Sequence, residues 1–203
     1  MRFLSALFLW AAFLFASPAS VLGQDVVGTG IVNGKKILIL EDFTWQFDER
    51  IAGSCFVITA GMDFCGKPAG WKRIVAKDPE VTASFEQDGR KYAFFISEPI
   101  GREDGFTLDT VAAGIIANAA SGMGIAPSDV PIFDSRESDF YDKRARTIAM
   151  QVNFRNYYFI FINTFWVEDK RSRQVYTYTF GDKLRETDWD LHKQVTGSLS
   201  FSQ

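Results

Sequence analysis

Histidine and cysteine are scarce in this chain: His192 stands alone, and Cys55 and Cys65 are the only thiols in 203 residues. A lone imidazole between Leu191 and Lys193, with no G-x-S-x-G and no S-x-x-K, leaves the common serine-hydrolase arrangements without their signatures. On that context the expectation for His192 is a solvated or cap-adjacent ring. A zinc site would need two more soft ligands than the cysteines provide, and only His192 is there to supply one. Lys and Arg are scattered except for DKRSR at 169–173, and the net charge is −3, so phosphate backbones find no bulk attraction and nucleic acid is not an expected partner. Beyond residue 22 no apolar run of spanning length is free of polar interruption.

The N-terminus holds the one long apolar run. Arg2 leads into FLSALFLWAAFLF and then SPASVLG, the three regions of a secretory signal peptide. Val21 and Gly23 supply small residues at the third and first positions before a cut preceding Gln24; a cut after Ala19 is the second choice. An uncleaved anchor over Phe3–Leu22 is the rival reading, opposed by Pro18 and two serines. No cysteine follows the run, which argues against a lipid anchor. The expectation is a secreted or periplasmic protein, Gln24–Gln203, with no membrane anchor after cleavage. Loss of Arg2 takes its charge from −3 to −4. In an oxidising compartment an even cysteine pair is expected to bond. Nine residues separate Cys55 from Cys65, unlike the C-x-x-C of redox pairs, and a ring of that size contributes about 2.5–3 kcal/mol by loop entropy.

Hairpins dominate the rest. GTGIVNGKKILIL carries Asn33-Gly34, the dipeptide favoured by two-residue turns, between aliphatic runs. VTASFEQDGRKYAFFI repeats the device at Asp88-Gly89; pairing Gln87 with Arg90 would set Phe85 against Tyr92 and Glu86 against Lys91. TIAMQVNF alternates cleanly, and a turn at Arg155-Asn156 brings Val152 to Phe159 and Met150 to Phe161. A further turn in EDKRSR, pairing Val167 with Gln174, would put Phe165 beside Tyr176. One face of that meander is then Ile148, Met150, Val152, Phe154, Tyr157, Phe159, Phe161, Phe165, Tyr176, Tyr178 and Phe180.

Two helices are expected. TLDTVAAGIIANAASG stripes Leu108, Val111, Ile115 and Ala119, with Thr107 or Asp109 as cap and Gly122 as stop. TDWDLHKQVTGSLSF spaces Leu191, Val195 and Leu199 helically, with Thr187 and Asp190 at capping-box distance. Residues 122–143, with two prolines and the acids Asp134, Glu137, Asp139 and Asp142, show no strong period and read as irregular. Their spacing matches no EF-hand, and Arg136, Lys143 and Arg144 stand close enough to neutralise them. The organisation expected is a signal peptide over 1–23, an N-terminal β-hairpin extension over 24–54, and a single α+β domain over 55–203.

Pro68, Gly70 and Trp71 form a Pro-x-Gly-Trp turn entering a hairpin, followed by EPIG at 98–101, a long helix, an antiparallel meander, and a helix running into Ser-x-Ser-Phe at 198–201. That order, over about residues 66–203, resembles the PsbP-like superfamily, which includes the photosystem II extrinsic protein and DcrB-type envelope lipoproteins. The resemblance implies an α/β/α sandwich around an antiparallel sheet, in a family whose members mostly bind partners. This chain departs from the DcrB type in lacking the lipid anchor.

With twenty phenylalanines, most rings are expected in the core. A sharper reading makes part of the sheet an apolar pocket or docking face, with Phe161, Phe165, Tyr176 and Tyr178 as walls and Asn163 as a polar group. No catalytic residue, metal or cofactor is expected. The reading that follows is a non-enzymatic envelope factor that binds another envelope protein. The alternative is a carrier or sensor of a small apolar ligand, and the third an enzyme with an unfamiliar carboxylate or metal site.

Overall fold

The computed structural model describes residues 26–32, 35–47 and 55–201. The expected signal peptide and the Asn33-Gly34 dipeptide lie outside the described residues. Strands β1 (Val26–Val32) and β2 (Lys35–Leu40) pair antiparallel with Val32 opposite Lys35, the register that a two-residue connection dictates. The chain then doubles back: Asp42 accepts from the backbone N and the hydroxyl of Thr44, at 2.9 and 2.5 Å, and β3 (Trp45–Phe47) joins β2. This N-terminal unit is therefore a three-stranded sheet built on the expected hairpin.

A second small sheet is made of β4 (Phe56–Thr59), β5 (Met62–Phe64) and the last strand, β13 (Leu199–Phe201), in the order β13-β5-β4. Phe56 faces Phe64, and one residue outward the Cys55–Cys65 disulfide closes the hairpin.

The main sheet has seven antiparallel strands: β6 (Lys72–Ile74), β7 (Ala83–Gln87), β8 (Lys91–Glu98), β9 (Ile132–Phe140), β10 (Lys143–Phe154), β11 (Tyr157–Val167) and β12 (Ser172–Phe180). Their order is β6-β7-β8-β12-β11-β10-β9. Helix α1 (Leu108–Met123) packs on one face against β10 and β11; helix α2 (Glu186–Gly197) packs on the other against β11 and β12, beside the disulfide-closed sheet. The fold class is α+β, an antiparallel sheet flanked by helices and preceded by an N-terminal hairpin.

Each face has its own core. On the α1 face, Val111, Ala112, Ile115 and Ala120 meet Ile148, Met150, Phe165 and Val167. Small helix residues against large sheet residues let the helix axis lie close to the strands. On the α2 face, Phe64, Phe85, Phe95, Trp166, Val175, Leu191 and Val195 fill the space between the large sheet and the β5 hairpin. Phe64 is its centre, with Phe85 and Phe95 at 4.9 and 5.2 Å between ring centroids. Trp71, which closes the Pro68–Gly70 turn, packs edge-on to Phe64 at 5.8 Å.

Several expectations shift. The hairpin at Asp88-Gly89 has a three-residue connection, so Gln87 faces Lys91 and Phe85 faces Ala93. Asp88 and Gly89 both take positive φ, and the extra residue moves Tyr92 and Phe94 to the face opposite Phe85; Glu86 meets Tyr92 rather than Lys91. The last hairpin is offset by two: Val167 faces Ser172, which sets Phe165 beside Gln174, Asn163 beside Tyr176 and Phe161 beside Tyr178. An offset of two preserves the face, so the anticipated aromatic set stays together. Helix α1 starts at the Thr107 cap but runs through Gly122 to end at Gly124, which takes the left-handed conformation at φ 70°. Helix α2 starts earlier than expected, and Asp188, not Asp190, reaches back to the Arg185 backbone N at 2.9 Å. Residues 132–140, read as irregular, form the edge strand β9. It is exposed on both sides, so no burial period marked it.

Candidate functional site

The register of β8, β11 and β12 brings aromatic rings to neighbouring positions on the α1 face. Tyr92 stacks on Tyr178 with centroids 4.6 Å apart and planes 16° apart; Phe94 stacks on Tyr176 at 5.0 Å and 10°. Phe161 adds a stacked contact to Tyr178 at 5.2 Å, and Phe159 meets Tyr178 edge-on at 5.6 Å. Rings that stand on a sheet and stack side by side cover each other's faces and present their outer edges. All six are half-buried. Helix α1 packs on the β10–β11 half of this face, and Tyr92, Phe94, Tyr176 and Tyr178 belong to none of the packed cores.

Burial holds the Tyr178 phenol up at about 12, with the neighbouring Tyr92 adding to the shift. Tyr176 is raised further, first by burial and then by the nearby carboxylates of Asp78 and Glu80. Both phenols are neutral donors at any physiological pH. At the border with α1, Asn163 is 4% exposed; its Nδ2 donates to Gln174 Oε1 at 3.0 Å, while its Oδ1 has no hydrogen-bond partner. A buried acceptor without a donor costs on the order of 1–3 kcal/mol, so this carbonyl is a position where a donor would bind favourably.

Phe161, Asn163, Tyr176 and Tyr178 thus come together on one face. Phe165 shares the face but is fully buried under α1, a core residue rather than a wall. The sequence reading did not single out Tyr92 and Phe94. The missing signal was the third residue of the Asp88–Arg90 connection, which decides their face.

The His192 imidazole is neither solvated nor cap-adjacent. It is 4% exposed on the α2 face, with Thr164 Oγ1 2.8 Å from Nε2 and Thr177 Oγ1 3.0 Å from Nδ1; Thr164 in turn lies 2.7 Å from Thr147 Oγ1. Burial drives its pKa down to about 3, so the ring is neutral. A base sealed between threonines inside a core has no access to a substrate proton.

The acids of 134–142 are spread along the edge strand and its turn. Glu137 receives Arg144 at 2.6–2.7 Å and Arg146 at 2.5 Å, which hold its carboxyl below the usual range; Arg146 also reaches Asp109 of α1 at 2.8 Å. Among the described residues, no three His, Cys, Asp or Glu side chains are grouped so as to hold a metal ion. Among the same residues, no helix is long and apolar enough to cross a membrane.

No family model and no curated protein matches the chain. Solved structures do. PsbP of the cyanobacterium Synechocystis overlays with a TM-score of 0.51 at 14% identity, over 70% of this chain and 86% of that one. LpqN of Mycobacterium tuberculosis, involved in cell envelope biogenesis, gives 0.43 at 10% identity, over 70% and 83%. A protein from Bacteroides thetaiotaomicron gives 0.46 at 6% identity, over 72% and 48%. The overlay on the cyanobacterial protein shows a PsbP-like fold.

Proposed function

We propose that this chain is an exported, non-enzymatic binding domain of the cell envelope that holds another envelope protein against its aromatic half-face. The observation that carries the reading is the stacked set Tyr92, Tyr178, Phe94 and Tyr176, standing on the half of the sheet that α1 does not pack against. Aromatic side chains that keep a polar tip supply contact area at little entropic cost, which is why they are enriched at interfaces. The sealed His192 network and the arginine-neutralised Glu137 support a binding role over a catalytic one. A disulfide between Cys55 and Cys65 suits an oxidising, extracytoplasmic setting. The test is photo-cross-linking in the native compartment from a reactive analogue at position 92 or 94. Repeated recovery of one envelope protein, absent when the analogue sits at position 139, is the expected result; no specific adduct counts against the reading.

The unpartnered Asn163 Oδ1 favours a second reading, a small apolar ligand bearing one N–H or O–H donor. Native mass spectrometry of protein purified gently from its own cells separates the two. A reproducible added mass, lost in Asn163→Leu, speaks for the ligand.

A further inference from the structure

A different part of the molecule leaves a stretch of sheet edge uncovered. Strand β9 pairs with β10 only as far as Met150, opposite Ile132, and Gln151 N–H then donates to Pro131 O at 2.9 Å before the chain leaves the sheet. Strand β10 continues to Phe154. Side by side with Gln151 in period, Asn153 must point its backbone N–H and C=O the same outward way, away from β11. Those two groups meet no partner among the described residues. They open into a cleft of about 510 Å³, the sheet edge on one side and the end of α1 on the other. Met123, Ile125, Phe154 and Tyr158 give it apolar walls, and Asp129 and Gln151 add polar groups.

We propose that this cleft binds an extended peptide segment of a partner protein, which adds a short strand beside residues 151–154 where β9 has left the edge. The occupant follows from the recognising groups: an outward N–H and C=O at strand spacing pair with another extended backbone, and the edge is a direct continuation of the one β9 already uses. Apolar walls on either side fit alternate side chains of such a strand. Elsewhere the same edge is protected: β9 is rich in charge, with Asp134, Arg136, Glu137 and Asp139 along its length opposing strand addition. The strand residues 151–154 themselves carry no charge, and Asp129 and Arg155 are the charged side chains lining the cleft.

Panning the full-length mature chain against displayed random heptapeptides tests the proposal. Enriched peptides are expected to slow amide exchange at Asn153 and to bind at least ten-fold more weakly to Asn153→Pro and to Ile125→Asp. Methylation of alternate peptide nitrogens should abolish binding, whereas Tyr178→Ser should leave it unchanged, which separates this site from the aromatic half-face. Ile125 is 39% exposed on a loop, so its variant keeps the test valid if the proline variant fails to fold. Absence of any enriched peptide, or binding indifferent to the folded groove variants or to N-methylation, overturns the proposal. A concentration-dependent dimer abolished by the groove variants overturns it too, since the edge would then belong to a second copy.

Discussion

His192 Nε2 lies 2.8 Å from Thr164 Oγ1, and the two side chains are sealed together between α2 and the main sheet. In the folded protein the imidazole is held neutral, with its pKa pushed from 6.5 to about 3 by burial. The unfolded chain binds this proton at higher pH than the folded one, so the stability is fully present above about pH 6.5. It falls as pH drops from there toward about 3, by up to about 1.4 kcal/mol per unit from this one group. Denaturant midpoints measured from pH 7 to pH 4 should therefore fall more steeply for the natural chain than for His192→Gln. Equal slopes would mean that the ring is accessible to protons in the fold.

Phe64 and Tyr178 distinguish core from face. Phe64 is fully buried and touches Phe56, Trp71, Phe85 and Phe95, so Phe64→Ala should cost about 3–5 kcal/mol. Tyr178 is half-buried among other half-buried rings, and Tyr178→Ser should cost only about 1–2 kcal/mol while removing the cross-link to the proposed envelope partner. Urea unfolding of both variants, with partner capture measured on the folded fraction, checks the split.

Cys55 and Cys65 close a hairpin whose Met62 and Phe64 enter the α2-face core. Removing the bond frees a ring that contributes about 2.5–3 kcal/mol in the loop-entropy account. The doubly substituted Cys55→Ser/Cys65→Ser chain should remain folded at 25 °C with a lower thermal midpoint. Reductant should lower the midpoint of the natural chain and leave that of the variant unmoved.

The aromatic face was legible because its period is two. The offset in the Val167 hairpin, Ser172 for Gln174, changed every cross-strand partner yet moved no ring off the α1 face. The Asp88-Gly89 hairpin shows the opposite case: one added turn residue carried Tyr92 and Phe94 across the sheet. Nothing local to those residues dictates the count; the packing of Phe85, Ala93 and Phe95 on Phe64 does. Strand β9 was illegible for a related reason, since a strand exposed on both faces has no alternation to read. The burial of His192 was hidden because its hydrogen-bond partners, Thr164 and Thr177, come from strands 28 and 15 residues away.

Arg155 and Asn156 form the turn between β10 and β11 with φ of 51° and 66°, a two-residue turn in which both central positions are left-handed. Asn tolerates that region and Arg does not favour it, so an Asn-Gly pair would relieve about 1 kcal/mol. Arg155 also lies 5.1 Å over the Phe154 ring and lines the proposed peptide cleft with Asn156. The double variant Arg155→Asn/Asn156→Gly should therefore raise the thermal midpoint and at the same time weaken the selected heptapeptides, because the relaxed turn removes a wall of the cleft. A rise in midpoint with peptide binding intact would assign the strained turn to the hairpin alone and confine recognition to the edge at Asn153. No rise at all would mean that the contact of Arg155 with Phe154 already offsets the backbone cost, a balance that Arg155→Asn alone would expose as a loss of stability.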